Sequence, residues 1–130
     1  MTIGILIITH GEIGKQLVEA ASITLGGKLP LKCATLSVNP DCDPDKVNLE
    51  ANALIEKLNS GSGVLVLTDI FGSTPSNIAN QCKKSNDIKI IAGINLPMLI
   101  RVLNYAKLSL SEIVDKAVSG GHDGIFVCDK

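Results

Sequence analysis

The chain opens with a short, almost purely apolar run, and this run limits the possible folds more than any other feature. It covers residues 3–8, and the chain turns polar directly afterwards at Thr9 and His10. A short apolar run that ends in a turn is typical of a strand buried on both faces, as in a parallel sheet covered by helices. The residue just past such a strand lies where open α/β sheets bind their ligands, and here that residue is His10.

The rest of the chain alternates predicted helices with predicted strands, which favours a doubly wound α/β fold with right-handed crossovers. We expect one domain over residues 1–130, with a mainly parallel sheet and helices on both faces. Further strands are predicted over residues 31–38, 64–68, 88–92 and 125–128. Helices are predicted over 12–25, from Pro44 (capped by Asp43) to about Leu58, from a Thr74 cap to about Lys84, from Pro97 to about Ala106, and from a Ser111 cap to a stop at Gly120-Gly121.

The composition excludes several classes of function. The net charge is −1 and aromatic residues make up 2% of the chain, so no nucleic-acid surface is expected. No apolar run approaches the roughly 20 residues that a bilayer span requires, and no basic leader precedes the first strand. The 4 cysteines form no Cys-x-x-Cys pair and no zinc-site spacing, which is typical of free thiols. We therefore expect a soluble protein of the cytoplasm.

Three polar loops follow the first, third and fourth predicted strands, and parallel strands bring such loops to one edge of the sheet. The loops carry His10, then Asp69 with Ser73 and Thr74, and then Asn95. His10 suits a nucleophile, a base or a ligand, since its unperturbed pKa is about 6.5, or else it is an ordinary turn residue. A carboxylate such as Asp69 would fix the imidazole tautomer and leave the other ring nitrogen free. The alternative is that Asp69 caps its own loop.

The loop that follows the third predicted strand also suits an oxyanion. Ser73 and Thr74 precede a predicted helix, whose N–H groups and dipole favour an anion, although Thr74 as a plain helix cap explains the same residues. Gly72 permits close approach of a ligand to the backbone, and Gly11 precedes a second helix with further N–H donors. No Walker loop, no Gly-x-Gly-x-x-Gly segment and no carboxylate pair for Mg²⁺ is present, so we predict no metal site and no cofactor.

Three motifs occur in order along the chain and together resemble a known family. They are Thr9-His10-Gly11, residues 69–77 with Gly72, Pro75 and Asn77, and residues 92–99. On these motifs the chain resembles the mannose-family enzyme IIA domains of the bacterial phosphoenolpyruvate-dependent sugar phosphotransferase system, over essentially its whole length.

The resemblance implies a phosphotransferase. His10 would accept a phosphoryl group from the histidine-containing phosphocarrier protein and pass it to a IIB component, while Asp69 hydrogen-bonds the imidazole. It also implies an antiparallel edge strand added at the carboxyl end of the chain, and a homodimer in which the two chains exchange that strand. Residues 125–128 are apolar and follow three glycines within residues 120–124, which we interpret as a hinge.

Two positions depart from the better-known transporter members of that family: Glu12 stands where an aromatic residue is common, and Phe71 where tryptophan is. Glu12 adds negative charge beside the predicted site. His122 is interpreted as a turn residue rather than a second active histidine.

Three other functions remain open at this level. One is a regulatory binding module that phosphorylation switches without transport. Another is the phosphotransfer subunit of dihydroxyacetone kinase, which the segment 95–98 disfavours. The last is a histidine phosphatase, because His10-Gly11-Glu12 is similar to an Arg-His-Gly-Glu signature. Thr9 replaces its arginine, and the only arginine is Arg101, which disfavours binding of a free phosphate monoester.

Overall fold

Strands and helices alternate along the chain until its last two helices, which follow one another directly. The computed structural model describes residues 1–82 and 85–129. The elements are β1 (Gly4–His10), α1 (Ile13–Thr24), β2 (Lys32–Val38), α2 (Pro44–Leu58), β3 (Val64–Thr68), α3 (Thr74–Cys82), β4 (Ile88–Ala92), α4 (Leu96–Asn104) and α5 (Leu110–Asp123).

The four strands form one parallel sheet in the order β2-β1-β3-β4. In its register His10 lies opposite Val38, Ile8 opposite Thr68, and Thr68 opposite Ala92. The carboxyl ends of all four strands therefore lie along one edge of the sheet. The predicted α/β fold with a parallel sheet is confirmed.

The sheet separates two apolar cores, because successive side chains of a strand point to opposite faces. In β1, Ile5 and Ile7 belong to the core that contains the buried residues of α1, α4 and α5. Leu6 and Ile8 belong to the core that α2 and α3 cover. Every residue of β1 before His10 is buried, whichever face its side chain points to, which explains why the sequence is an apolar run rather than an alternating one.

Most element boundaries follow local sequence signals. β3 and β4 have the predicted bounds, and α2 begins at Pro44 with the Asp43 carboxylate accepting the Asp45 N–H at 3.1 Å. α3 begins at Thr74 itself, and the carbonyl of Ser73 accepts the Asn77 N–H, so the prediction of Thr74 as the cap is wrong by one residue. The predicted end of this helix at Lys84 lies outside the described residues.

The last helix differs most from its prediction. Its cap is Ser109 rather than Ser111, because Ser109 and Glu112 form a reciprocal capping box. Gly120 and Gly121 do not end the helix but are buried inside it. A Cβ atom on Gly120 would lie 2.7 Å from Cβ of Arg101, so this glycine permits close packing of α5 on α4. His122 consequently lies in the last helical turn and not in a loop.

Residues 125–129 follow α5 and form no strand in the described chain. Ile125, Phe126 and Val127 are exposed, and Phe126 retains 74% of its accessible surface. The predicted edge strand is therefore not formed within the single chain, because none of the four described strands pairs with this segment. The predicted glycine hinge is wrong, since two of its three glycines are helical.

Candidate functional site

His10 is the last residue of β1, and it lies at the edge where the sheet's polar loops meet. The neighbouring strand β3 ends at Thr68, so Asp69 is the first residue beyond it. Oδ2 of Asp69 lies 2.7 Å from Nδ1 of His10 and also accepts the backbone N–H of His10 at 2.9 Å. The structure therefore brings together two predicted site residues that are 59 positions apart in the chain.

Both oxygens of the Asp69 carboxylate accept hydrogen bonds. Its other oxygen, Oδ1, accepts the N–H of Ile70 at 3.0 Å, and only 13% of the side chain is exposed. Desolvation raises the pKa of Asp69, but the hydrogen bonds from His10, the charge of His10 and the Ile70 N–H together hold that pKa below its ordinary value of 3.8. Asp69 is consequently an anion at neutral pH.

The state of Asp69 determines the tautomer of His10. An ionised carboxylate only accepts hydrogen bonds, so the hydrogen between the two side chains sits on Nδ1 of His10. Nε2 of the neutral imidazole then carries the lone pair. Because 51% of the His10 side chain is exposed, this nitrogen belongs to a ring that solvent and other molecules can reach.

A cleft of about 310 Å³ adjoins the imidazole. Its lining residues are His10, Val38, Asn39, Pro40, Cys42, Pro44 and Thr74. The cleft thus lies between β1, the loop from β2 to α2 and the first residue of α3. Sequence reasoning missed the loop between β2 and α2, although β2 is the chain's next strand and its end lies beside His10 in the sheet.

The residues predicted to bind an oxyanion differ in whether they remain free to contact a ligand. Thr74 faces the cleft with His10, and Gly72 has a φ of +83° with nothing within 4 Å of the position of a Cβ. The hydroxyl of Ser73 donates to the carbonyl of Ile70 at 2.7 Å. The N–H of Gly11 is bound to the carbonyl of Val38 at 3.0 Å and is not available to a ligand in this conformation.

Glu12 contacts β2, and His122 lines a different cavity from His10. Ser37 donates its hydroxyl to Oε1 of Glu12 at 3.5 Å. His122 is exposed on α5 and lines a separate cavity with Asn95, Met98 and Gly93. The amide of Asn95 contacts Met98 and Gly121 rather than His10.

A buried hydroxyl near the site was also missed from the sequence. Thr68 directly precedes Asp69 in the chain and is fully buried. Its Oγ1 atom has no hydrogen-bond partner among the residues that the structure describes.

In residues 1–82 and 85–129 no group of three or more His, Cys, Asp or Glu side chains is placed to hold a metal ion. No helix in the same ranges is long and apolar enough to cross a membrane.

An imidazole with one nitrogen held by a carboxylate, at the carboxyl edge of a parallel sheet, is an arrangement that suits a histidine-based group carrier or nucleophile. The family model described as "PTS system fructose IIA component" (EIIA-man) matches residues 4–118. The chain therefore belongs to the EIIA-man family of phosphotransferase system IIA components.

Individual relatives agree with this family. The chain is 33% identical to the mannose-specific EIIAB component of Escherichia coli K12 over 128 residues, which are 96% of this chain but 39% of that protein. It therefore spans about two fifths of the length of such curated relatives.

Solved structures share the fold. The mannose/sorbose specific IIA subunit from Enterococcus faecalis superimposes with a TM-score of 0.88 at 20% identity, covering 100% of this chain and 97% of that one. The IIA protein associated with the fucose utilization operon of Streptococcus pneumoniae gives 0.81 at 25% identity, covering 98% and 93%.

Proposed function

We propose that this chain is a phosphocarrier that receives a phosphoryl group on Nε2 of His10. The donor is the phosphohistidine of the histidine-containing phosphocarrier protein, and the acceptor is a IIB component of the phosphotransferase system. The observation that carries this proposal is the 2.7 Å contact between Nδ1 of His10 and Oδ2 of Asp69. Membership of the EIIA-man family supports it.

The transfer step follows from the tautomer. The lone pair on Nε2 of His10 attacks the phosphorus atom, a new N–P bond forms, and the N–P bond of the donor breaks. The donor imidazole keeps the electron pair of the broken bond. Phosphorylated His10 retains its hydrogen on Nδ1, so its ring becomes cationic, and the Asp69 carboxylate stabilises this charge at hydrogen-bond distance. The return step to the acceptor reverses these roles.

The phosphoryl oxygens would lie towards the amino end of α3. Thr74 faces the same cleft as His10, and Gly72 leaves its loop open to a ligand. The first N–H groups of a helix attract anions, so Gly72, Ser73 and Thr74 are the proposed phosphate contacts. Gly11 would contact the phosphoryl group only if the hydrogen bond from its N–H to the carbonyl of Val38 were broken.

Intact-mass analysis tests the proposal directly. The protein is incubated with phosphoenolpyruvate, enzyme I and the phosphocarrier protein, and the expected result is a mass gain of one phosphoryl group that acid removes and alkali preserves. His10→Ala should abolish the gain. His122→Ala is the matched control, because the chain has 2 histidines and His122 is exposed on α5. A gain that survives in His10→Ala would contradict the proposal.

Adding a purified IIB domain then separates transport from regulation. Transfer of the label to IIB supports a role in sugar uptake. A phosphorylated chain that keeps its label in the presence of IIB supports instead a regulatory module switched by phosphorylation.

We propose in addition that two copies form a homodimer through the exposed carboxyl-terminal segment. β4 is an edge strand of the sheet, and Ile125 lies in the cavity beside it with Ile91 and Gly93. An antiparallel strand from a second copy would pair this edge and cover exposed apolar side chains. Light scattering should show a dimer for the full chain and a monomer for a chain ending at Gly124, where α5 is complete. A full-length monomer at micromolar concentration would contradict the proposal.

A further inference from the structure

Asn95 holds the loop between β4 and α4 in place through both ends of its amide. Oδ1 accepts the N–H of Met98 at 2.8 Å, so Asn95 is the cap of α4. Nδ2 donates to the carbonyl of Gly121 at 3.1 Å, which ties the same residue to the last turn of α5. One side chain therefore joins three parts of the fold.

The same loop contacts the strand that carries the candidate site. The N–H groups of Gly93 and Ile94 both donate to the carbonyl of Thr68, at 2.9 Å and 3.0 Å. This carbonyl belongs to the peptide group that joins Thr68 to Asp69. The loop that Asn95 anchors thus holds the peptide from which the Asp69 side chain projects towards His10.

The anchor on α5 is closely packed. Gly121 is buried, and a Cβ atom there would lie 3.0 Å from Cε of Met98 and 3.6 Å from Oδ1 of Asn95. Glycine at this position lets α5 approach the amide closely. The carbonyl of Gly121 is therefore presented to Asn95 from a buried, closely packed part of the helix.

We infer that Asn95 is a positioning residue for the phosphoryl transfer proposed above. By fixing residues 93–95 it holds the Thr68–Asp69 peptide, and so keeps Oδ2 of Asp69 on Nδ1 of His10. It touches neither the imidazole nor the cleft. Its effect reaches the reaction through the tautomer of His10, because a displaced Asp69 no longer holds the hydrogen on Nδ1.

The state of the ring can be measured without any phosphoryl transfer. In the full-length protein, ¹⁵N chemical shifts of the His10 imidazole report which nitrogen carries the hydrogen. The wild type should show Nδ1–H alone, whereas Asn95→Ala should show a mixture of tautomers. The rate of transfer onto His10 should fall by about 10-fold or more, within the roughly 10²-fold that a 1 Å misplacement costs.

Two further variants separate anchoring from helix capping and from general stability. Asn95→Ser keeps a good helix cap but cannot reach Gly121, so we expect it to fold normally and still show mixed tautomers. Asn59→Ala is the matched control, because Asn59 accepts from Gly61 and Gly63 and donates to Asp87 at the opposite edge of the sheet. Its ring signals and transfer rate should equal those of the wild type.

A double variant shows whether Asn95 acts through Asp69. If it does, Asp69→Ala combined with Asn95→Ala should transfer no more slowly than Asp69→Ala alone. Wild-type ring signals in Asn95→Ser, or a multiplicative loss in the double variant, would overturn the inference. Failure of the wild type to accept a phosphoryl group would overturn the proposed function instead, and the ring signals would still decide the role of Asn95.

Discussion

Oδ2 of Asp69 accepts two hydrogen bonds from His10, one from the backbone N–H at 2.9 Å and one from Nδ1 at 2.7 Å. The backbone bond fixes where the carboxylate lies relative to the end of β1, and the ring bond fixes the tautomer. A single oxygen therefore orients the imidazole and determines which of its nitrogens is nucleophilic.

Removal of the Asp69 carboxylate should slow phosphoryl transfer without unfolding the protein. Orienting and proton-holding groups typically contribute about 10²–10⁴-fold in rate, so we expect a loss of that order in Asp69→Ala. Single-turnover transfer from pre-phosphorylated carrier protein measures it. Asp87→Ala is the matched control, because Asp87 is an exposed aspartate at the opposite edge of the sheet. A wild-type rate in Asp69→Ala would reduce Asp69 to a loop residue.

The contribution of Asp69 to stability should depend on pH in one direction. Its pKa is lower in the folded chain than the ordinary value of 3.8, so the folded state binds this proton less readily than the unfolded state. The stabilisation is then fully present above that ordinary value and is lost as the pH falls through the lower folded pKa. Urea unfolding should show wild type more stable than Asp69→Asn at pH 6, with the difference in free energy of unfolding narrowing as the pH falls below 3.8. A gap that is independent of pH would contradict this account.

Two buried threonines should respond in opposite ways to the same isosteric substitution. Oγ1 of Thr9 accepts the N–H of Gly14 at 2.8 Å, and Thr9→Val would leave that donor unpaired at a cost of about 1–3 kcal/mol. Thr68→Val removes a hydroxyl that has no partner in the described part of the chain, so the free energy of unfolding should stay unchanged or rise. Thermal and urea denaturation measure both. Equal destabilisation of the two variants would show that the Thr68 hydroxyl is bonded in solution.

The two phenylalanines should separate docking of the donor from dimer formation. Phe71 is 81% exposed two residues after Asp69, and exposed aromatic residues beside a site commonly anchor a protein partner. Phe71→Ala should raise the KM for the phosphocarrier protein by about 10-fold, equivalent to about 1.4 kcal/mol of binding. Phe126→Ala should instead weaken the dimer and leave that KM unchanged. An unchanged KM in Phe71→Ala would place the docking surface elsewhere.

Much of the fold was predictable because its signals are local. Asp43 followed by Pro44 marks the start of α2, and the apolar run of residues 64–68 marks β3, since caps and strand runs depend on a few neighbouring residues. The alternation of strands and helices then implies a parallel sheet. That topology in turn predicted that His10 and Asp69 would share an edge, although neither residue alone indicates the other.

Errors arose where packing between distant segments overrides a local signal. Gly120-Gly121 has the composition of a helix stop, yet both glycines lie within α5 because Arg101 and Met98 of α4 occupy the space of their missing side chains. Gly11 was predicted to offer its N–H to an anion, but the carbonyl of Val38, at the end of β2, accepts that N–H instead.

The sequence by itself determined the order of the elements from β1 to α5, the Asp43 cap of α2 and the candidate pair of His10 and Asp69. These follow from periodicity, turn chemistry and the rule that parallel strands end at one edge. Only the tertiary structure decided which carboxylate oxygen holds His10, which residues line the cleft, and that the amide of Asn95 binds α5 instead of the site. The reason is physical: these features are distances between backbone segments far apart in the chain, and such distances exist only after the sheet and its helices have packed.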